Sequence, residues 1–494
     1  MAVAATHTEK DIVSTTEDNG TVAYAIDPAE EKRVLRKIDR RVMPLMFLVF
    51  FFQFLDKQTI NFASVFGMQQ DLNVDGHEFS WAVSLFYFGL LAAQFPMTYF
   101  IGRFRVTIVV SIAVILWGTC EMCLAAPHNA VGLLSARFFL GFCEGVAAPG
   151  FVVITSNFYK RSEHPIRVAV WQGTNGVAQI VGGVLMYVIG QSDSLALASW
   201  RVIFIVCGAG TVGAGLLFTF LMPRDPSSAT FLNEAERRIA IERLANDRAT
   251  RDRNQFNSAQ VKEAFMDPQT WFFFVFAFLT TMSSPILKFS SLVINGFGFS
   301  KFRTMLVGLP SGALQIITTW SAAFLMSYTK SFRCFSGILF SIIPLLGSIL
   351  LLCLPASAGW GIVVSTWLAA QSSSLIQVSL SILASNVKGN TKKSAVSAIF
   401  FLAYSTGCIA SPQLWQSQDA PRYTKGVIAS IASWGLLMIA LLAYYFIFRQ
   451  VNLNREAEVR ELEPTDGGKT ELDMAVDVNS DLTDKQDRKF KYTL

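Results

Sequence analysis

Four ionisable residues interrupt stretches of chain that are otherwise apolar. Asp56 and Lys57 break the run that begins at Met43, and Arg137 and Glu144 break the run that begins near Ala130. On insertion scales, a charged side chain at the centre of a membrane helix costs roughly 2.5–3.5 kcal/mol. Such residues persist where they pair or line a polar cavity. Asp56 is thirteen residues past Met43 and Glu144 is fourteen past Ala130. At 1.5 Å per residue each lies about 20 Å along its helix, in the middle region of a hydrocarbon core about 30 Å thick. Arg137, Gly141 and Glu144 are spaced i, i+4, i+7, which stacks them on one helix face. Lys57 and Asn61 share a face by the same rule.

These residue types suit a site for an anion and a proton. Arg137 offers a planar fork that grips a carboxylate through two parallel bonds, and Lys57 offers a compact point charge. A carboxylate shielded from water takes up a proton more readily than a hydrated one. Asp56 and Glu144 are therefore the candidates for carrying a coupling proton. The competing reading is that the four residues are structural ion pairs fixing a helix bundle. Lys288 follows Pro285, where a helix is expected to break. It either lines a cavity from the second half of the chain or reaches back to the outer interface. Glu121 lies near the outer end of its run and reads as an interfacial residue. Uncharged polar residues recur as well: Asn61 in the first run, Gln172, Asn175 and Gln179 in the fifth, Gln377 in the tenth and Tyr404 in the eleventh. They serve either as contacts for a polar solute or as hydrogen-bonding glue between helices.

The elements that must position these residues are membrane spans. Of 494 residues, 52% are hydrophobic and only 16% are charged, against roughly 25% charged in soluble domains. Runs of about 20 apolar residues, the length of a spanning helix, recur twelve times. They lie near 43–65, 80–100, 105–126, 130–155, 168–190 and 201–222, then 270–294, 303–326, 334–354, 360–384, 394–416 and 426–448. The expected fold is all-α, twelve transmembrane helices in two six-helix halves, 41–222 and 269–450. A charged linker, 223–268, with a surface helix capped at Asn233 joins them. Polar tails, 1–40 and 451–494, are expected to be disordered. Lys and Arg favour cytosolic loops. With the amino terminus inside, ten of them fall in inner short loops (among them Arg103, Lys160, Arg167, Lys388 and Lys393) and five in outer loops, so both termini are expected in the cytosol. A faint repeat, Arg167-Val168-Ala169-Val170 and Lys393-Ser394-Ala395-Val396, opens the fifth and eleventh spans and fits two parallel repeats.

Several function classes are excluded. A net charge of +5 on 494 residues is no nucleic-acid footprint. There is no phosphate-binding G-x-x-x-x-G-K-[ST] segment and no catalytic set, and Cys120 and Cys123 form a C-x-x-C with no second pair to complete a zinc site. No enzyme activity, cofactor or metal is expected.

Several segments resemble the anion:cation symporter branch of the major facilitator superfamily, in particular the fungal allantoate permease-like group. Phe54-Leu55-Asp56-Lys57-Gln58-Thr59-Ile60-Asn61 is similar to that branch's first-span signature. Arg137-Phe138-Phe139-Leu140-Gly141-Phe142-Cys143-Glu144-Gly145 is similar to its R-x-x-x-G-x-x-E motif, with Pro149-Gly150-Phe151 following. Phe231-Leu232-Asn233-Glu234-Ala235-Glu236-Arg237 resembles its linker. Gly389-Asn390-Thr391-Lys392-Lys393-Ser394, Gly407-Cys408-Ile409-Ala410-Ser411-Pro412-Gln413-Leu414 and Asp419-Ala420-Pro421-Arg422-Tyr423 resemble its late segments. The resemblance covers residues 40–450. Ile101-Gly102-Arg103-Phe104-Arg105 departs from the superfamily's G-x-x-x-D-R loop by lacking its Asp.

The resemblance implies proton-coupled symport of a small organic anion (a carboxylate, vitamin or ureide) by a multi-pass protein, expected as a monomer in the plasma membrane. In that reading Asp56 and Glu144 are the protonatable groups. Lys57 and Arg137 are the anion's charge partners, with Asn61, Lys288, Gln172, Asn175, Gln377 and Tyr404 as further candidate contacts. Two alternatives stay open: an efflux pump for a fungal secondary metabolite, and a nutrient-sensing receptor that does not transport.

Overall fold

Inside a bilayer no water is at hand for backbone N–H and C=O groups, so spanning segments satisfy them internally. The computed structural model describes residues 27–160, 163–192, 196–249, 257–328, 332–462, 482–487 and 490–494, and every regular element among them is a helix. The first six spans are Pro28–Val65, Gly76–Arg103, Val106–Cys123, Ala130–Phe158, Ile166–Gly190 and Ser199–Leu221. The second six are Pro268–Gly296, Lys301–Tyr328, Arg333–Cys353, Trp360–Asn386, Asn390–Leu414 and Thr424–Leu462. Nine of these are long and apolar enough to cross a membrane on composition alone, or ten with the second span, which bends by 42° before Pro96. The first and eighth complete the twelve. The first is diluted by Gln53, Asp56, Lys57, Gln58 and Asn61, the residues with chemistry to do.

The ends differ from expectation. The first helix begins at Pro28, capped by the Asp27 side chain, so residues 28–40 of the expected tail are helical. Val34, Ile38 and Val42 recur every fourth residue and are buried, which is why this polar stretch holds a helix. Residues 1–26 and 463–481 lie outside the described residues. At the other end the twelfth helix continues to Leu462, and the last residues dock on the second half. Asp484 reaches Lys392 at 2.7 Å, Asn386 Nδ2 donates to the Thr493 carbonyl at 2.8 Å, and the Arg333 amide donates to the Leu494 carbonyl at 2.8 Å. The expectation of disorder for 451–494 is corrected there: charged composition does not prevent order where each charge meets a partner. Burial among Asp484 and its neighbours also pushes the Tyr492 phenol up from its ordinary range.

The linker carries its expected helix, Glu234–Ala249, with the reciprocal cap that Asn233 and Glu236 predict: Glu236 N to Asn233 Oδ1 at 2.7 Å, and Asn233 N to Glu236 Oε2 at 3.2 Å. A second linker helix, Ser258–Met266, is capped by Asn257. The Lys37 ammonium, 2.5 Å from Glu236, holds that carboxyl below its usual range. The clamp between linker and first helix is therefore complete at neutral pH and loosens as pH falls through the lowered value.

The two halves use equivalent cytosolic ties. Asp39 pairs with Arg167 at 2.9 Å, joining the first and fifth spans, and Asp267 pairs with Lys392 at 2.6 Å, joining the seventh and eleventh. The repeat seen in sequence aligned Arg167 with Lys393. In the structure Lys392 takes that role, and Lys393 Nζ donates to the Ala384 carbonyl.

Close crossings set the packing. A Cβ on Gly141 would stand 1.9 Å from the Phe86 carbonyl oxygen, and one on Gly89 would stand 2.0 Å from that of Phe138. The second and fourth spans thus cross backbone to backbone, and the glycine between Arg137 and Glu144 makes room for a helix. Gly141→Ala is expected to destabilise the purified protein by about 1–3 kcal/mol through overpacking, read as a lowered melting temperature. Gly213→Ala, where a Cβ meets nothing within 4 Å, should leave melting unchanged.

Candidate functional site

Asp56 is fully buried at the centre of the first half. Trp117 Nε1 donates to its Oδ2 at 2.7 Å and Thr211 Oγ1 lies 2.8 Å from the same atom, while Oδ1 has no partner. The third and sixth spans therefore fix this carboxyl from behind. Lys57, the next residue, turns the other way and meets Glu144 Oε1 at 2.6 Å. The Glu144 side chain is fully buried, whereas the Lys57 side chain keeps 23% of its exposure. Lys57 is therefore the more accessible partner. Its Nζ also stands 5.9 Å from the Phe86 ring centre.

Arg137 lies one face-turn away. It is 2% exposed, packs against the Phe204 ring at 6.0 Å, and its Nε and Nη2 have no hydrogen-bond partner. Its electrostatic neighbours are Glu121, Asp56 and Glu144, yet it forms no ion pair within 4 Å among the described residues. Lys288 comes from the second half. The seventh span is broken between Met282 and Pro285, as Pro285 predicts, and Lys288 follows the break. It is 7% exposed, its Nζ has no hydrogen-bond partner, and it sits 4.1 Å from the Tyr87 ring centre of the first half. It is therefore buried against the first half rather than reaching the outer interface, and it is not among the residues lining the cavity between the halves. Two buried cations, one from each half, thus lack anionic partners of their own.

Asn61 joins the halves: its Nδ2 donates to Ser291 Oγ at 3.1 Å, and its Oδ1 is left without a partner. Both residues line a cavity between the halves together with Gln58, Gln179, Ser311 and Trp367. Its volume is about 20 Å³, room for about one water. The halves must part for an organic solute to enter. Among the described residues, the four hydrogen bonds between the halves lie in their outer portions. They are Asn61 to Ser291, Ser84 to the Ile409 carbonyl, Ser80 to the Trp415 carbonyl and Gln413 to Ser84. This conformation is therefore sealed on the outer side.

The remaining candidates are scattered. Tyr404 packs near Tyr87, with ring centres 6.5 Å apart, beside the Lys288 region. Gln377 is half-buried with its Oε1 unpartnered, and Asn175 is half-buried. Neither is among the residues lining the cavity. The Gln172 side chain lies outside the described residues. Glu121, read from sequence as interfacial, is fully buried and 2.7 Å from Thr59 Oγ1. A signal for it was present: Val110, Val114, Trp117 and Glu121 recur at helical spacing on one face, and all are buried. Gln179, one of the polar residues noted in the fifth span, lines the cavity, whereas Gln58 was missed, because polar residues on a mixed face carry no mark of which neighbour they will meet.

A family model described as Major Facilitator Superfamily matches residues 46–412. An uncharacterized transporter of Schizosaccharomyces pombe is 36% identical over 466 residues, covering 94% of this chain and 86% of that protein. The allantoate permease of Saccharomyces cerevisiae is 30% identical over 482 residues, covering 95% and 88%. Among solved structures, the proton:xylose symporter XylE superposes with a TM-score of 0.64 at 14% identity, over 83% of this chain and 95% of that one, a likeness of fold. With twelve helices in two halves, a polar cavity between them and these relatives, the chain belongs to the Major Facilitator Superfamily of membrane transporters.

Proposed function

We propose that this transporter moves a small organic anion together with protons by alternating access, with Arg137, Lys288 and Lys57 as the anion's charge partners. The observation that carries this reading is the pair of buried cations, Arg137 Nε and Nη2 and Lys288 Nζ, that have no hydrogen-bond partner. A buried charge without a partner is strongly unfavourable, so an anion arriving between the halves relieves it. The similarity to an allantoate permease supports a carboxylate as that anion.

The Lys57–Glu144 pair supplies a coupling device. An anion that takes Lys57 as its partner leaves Glu144 buried and uncompensated, and a proton on Glu144 restores neutrality. Anion and proton then enter together, and closing the halves around a neutral pair avoids carrying net charge through the core. Asp56, held by Trp117 and Thr211, is the second protonatable group. Asn61 and Tyr404 are contacts for the anion's polar body, and Asn175 and Gln377 join them once the halves rearrange.

Uptake of labelled allantoate and other short carboxylates into proteoliposomes tests the reading. An inward proton gradient is expected to raise accumulation, and a quaternary ammonium probe is expected to stay out. Gradient-independent uptake of every anion tried would remove the symport reading, and outward pumping against the gradient would favour efflux. Glu144→Gln is expected to keep exchange of anion across the membrane and lose proton-driven accumulation. Lys288→Met, similar in size and uncharged, is expected to raise the anion's KM about tenfold or more, equivalent to about 1.4 kcal/mol. Its melting temperature should hold or rise, because an uncompensated buried charge is removed; a lowered melting temperature with unchanged KM would make Lys288 structural.

A further inference from the structure

Glu121 has no part in the anion site, yet it is fully buried beside it. Its surroundings fix its protonation through a count of hydrogens. Thr59 Oγ1 lies 2.7 Å from the Asp56 backbone carbonyl oxygen and 2.7 Å from Glu121 Oε1. Both are full hydrogen-bond lengths between oxygens. A threonine hydroxyl carries one hydrogen to donate. One hydroxyl hydrogen can be shared, as Thr281 shares its own between the Ala277 and Phe278 carbonyls at 2.8 and 3.0 Å, but two full bonds at 2.7 Å on both sides call for a hydrogen from the other side. A peptide carbonyl has none to give, and neither has an ionised carboxylate, whereas a carboxylic acid has one.

We infer that Glu121 is a proton-holding residue of the coupling site in this closed conformation, its carboxyl O–H donating to Thr59 Oγ1 while Thr59 donates to the Asp56 carbonyl. The inference rests on the proton-coupled reading proposed above and adds a third carboxyl to Asp56 and Glu144.

The charges around Glu121 agree. The groups that face it are Asp56 on the first span, Arg137 and Glu144 on the fourth, Cys207 on the sixth and Cys120 on its own helix. Lys57 compensates Glu144 at 2.6 Å. Arg137 remains as the cation for both Asp56 and Glu121 and touches neither within 4 Å. Two buried carboxylates beside one such cation leave a negative charge uncompensated, and one proton removes it. Asp56 is the better equipped to stay ionised. Its Oδ2 accepts the Trp117 N–H, a donor under all conditions, at 2.7 Å. The Thr211 hydroxyl, which also stands 3.0 Å from the Cys207 carbonyl, is closer to Asp56 at 2.8 Å. Glu121 has no N–H donor, and its Oε2 has no partner.

Loss of the proton has a local consequence. The carboxylate then accepts the Thr59 hydrogen, and the Asp56 carbonyl, which is joined directly to Lys57, loses its side-chain bond. Proton release is thereby transmitted to the first-span backbone at the anion site.

Infrared spectra of the purified protein at neutral pH test the assignment without any ligand. A carboxylic-acid C=O band is expected, absent in Glu121→Gln and moved to higher frequency in Thr59→Val, which removes its hydrogen-bond acceptor. A band of unchanged size in Glu121→Gln would overturn the assignment. So would an unmoved band in Thr59→Val, which decides the matter if the Gln variant does not fold. Labelled allantoate uptake separates this inference from the reading beneath it. A wild type indifferent to the proton gradient would sink proton coupling itself. A gradient-driven wild type matched by an equally gradient-driven Glu121→Gln would sink the role of Glu121 alone.

Discussion

Lys57 and Glu144 meet at 2.6 Å where water compensates neither fully. The site is organised around that contact. Glu144 reaches it because Gly89 and Gly141 let the second and fourth spans cross backbone to backbone, which brings the fourth span close enough to the first. Asp56, next to Lys57, is drawn to the opposite side by Trp117 and Thr211. Adjacent residues of one helix thus point their charges in different directions, and each finds compensation from a different neighbour. Arg137 is left between these systems with two nitrogens unpartnered. The first half holds its acids firmly and its second cation loosely, the arrangement a site for an incoming anion needs.

The second half contributes little charge to the centre. It supplies Lys288, placed by the break at Pro285, and polar side chains such as Ser291 and Ser311. Besides close packing of the fifth and eighth spans at Gly176 and Gly312, the halves are connected by hydrogen bonds at the outer ends, with no ion pair between them among the described residues. Buried and part-buried bonds between uncharged groups contribute about 0.5–1.5 kcal/mol each, so these bonds are of a strength that rocking of the halves can break and remake. By contrast, the cytosolic ties Asp39–Arg167 and Asp267–Lys392 lie within each half. They keep each six-helix bundle rigid while leaving the two free to move against each other.

Much of this was legible in the sequence. Twelve apolar runs with a charged linker define the architecture because a bilayer admits little else than helices. Asp56, Lys57, Arg137 and Glu144 stood out because a charge inside such a run is costly, so its survival marks a purpose. The cap at Asn233 and the break at Pro285 followed from local backbone chemistry. Glu121 was misplaced because distance along a helix fixes depth in the membrane, and depth does not say whether a side chain faces lipid or protein. The carboxyl-terminal residues were misjudged for a related reason. Composition measures the average tendency to stay hydrated, whereas Asp484 is held by one specific lysine.

The sequence by itself determined the number of spans, their division into halves, the sidedness of the termini and four of the charged residues in the core, Asp56, Lys57, Arg137 and Glu144. Each follows from local composition or from periodicity along one helix. The pairing of those charges was decided by tertiary structure alone: Glu144 to Lys57, Trp117 and Thr211 to Asp56, Glu121 to Thr59, and Arg137 and Lys288 to no carboxylate within 4 Å among the described residues. Pairing depends on how helices far apart in sequence rotate and cross. That is set by glycine contacts and by packing summed over the whole bundle, which no single helix encodes.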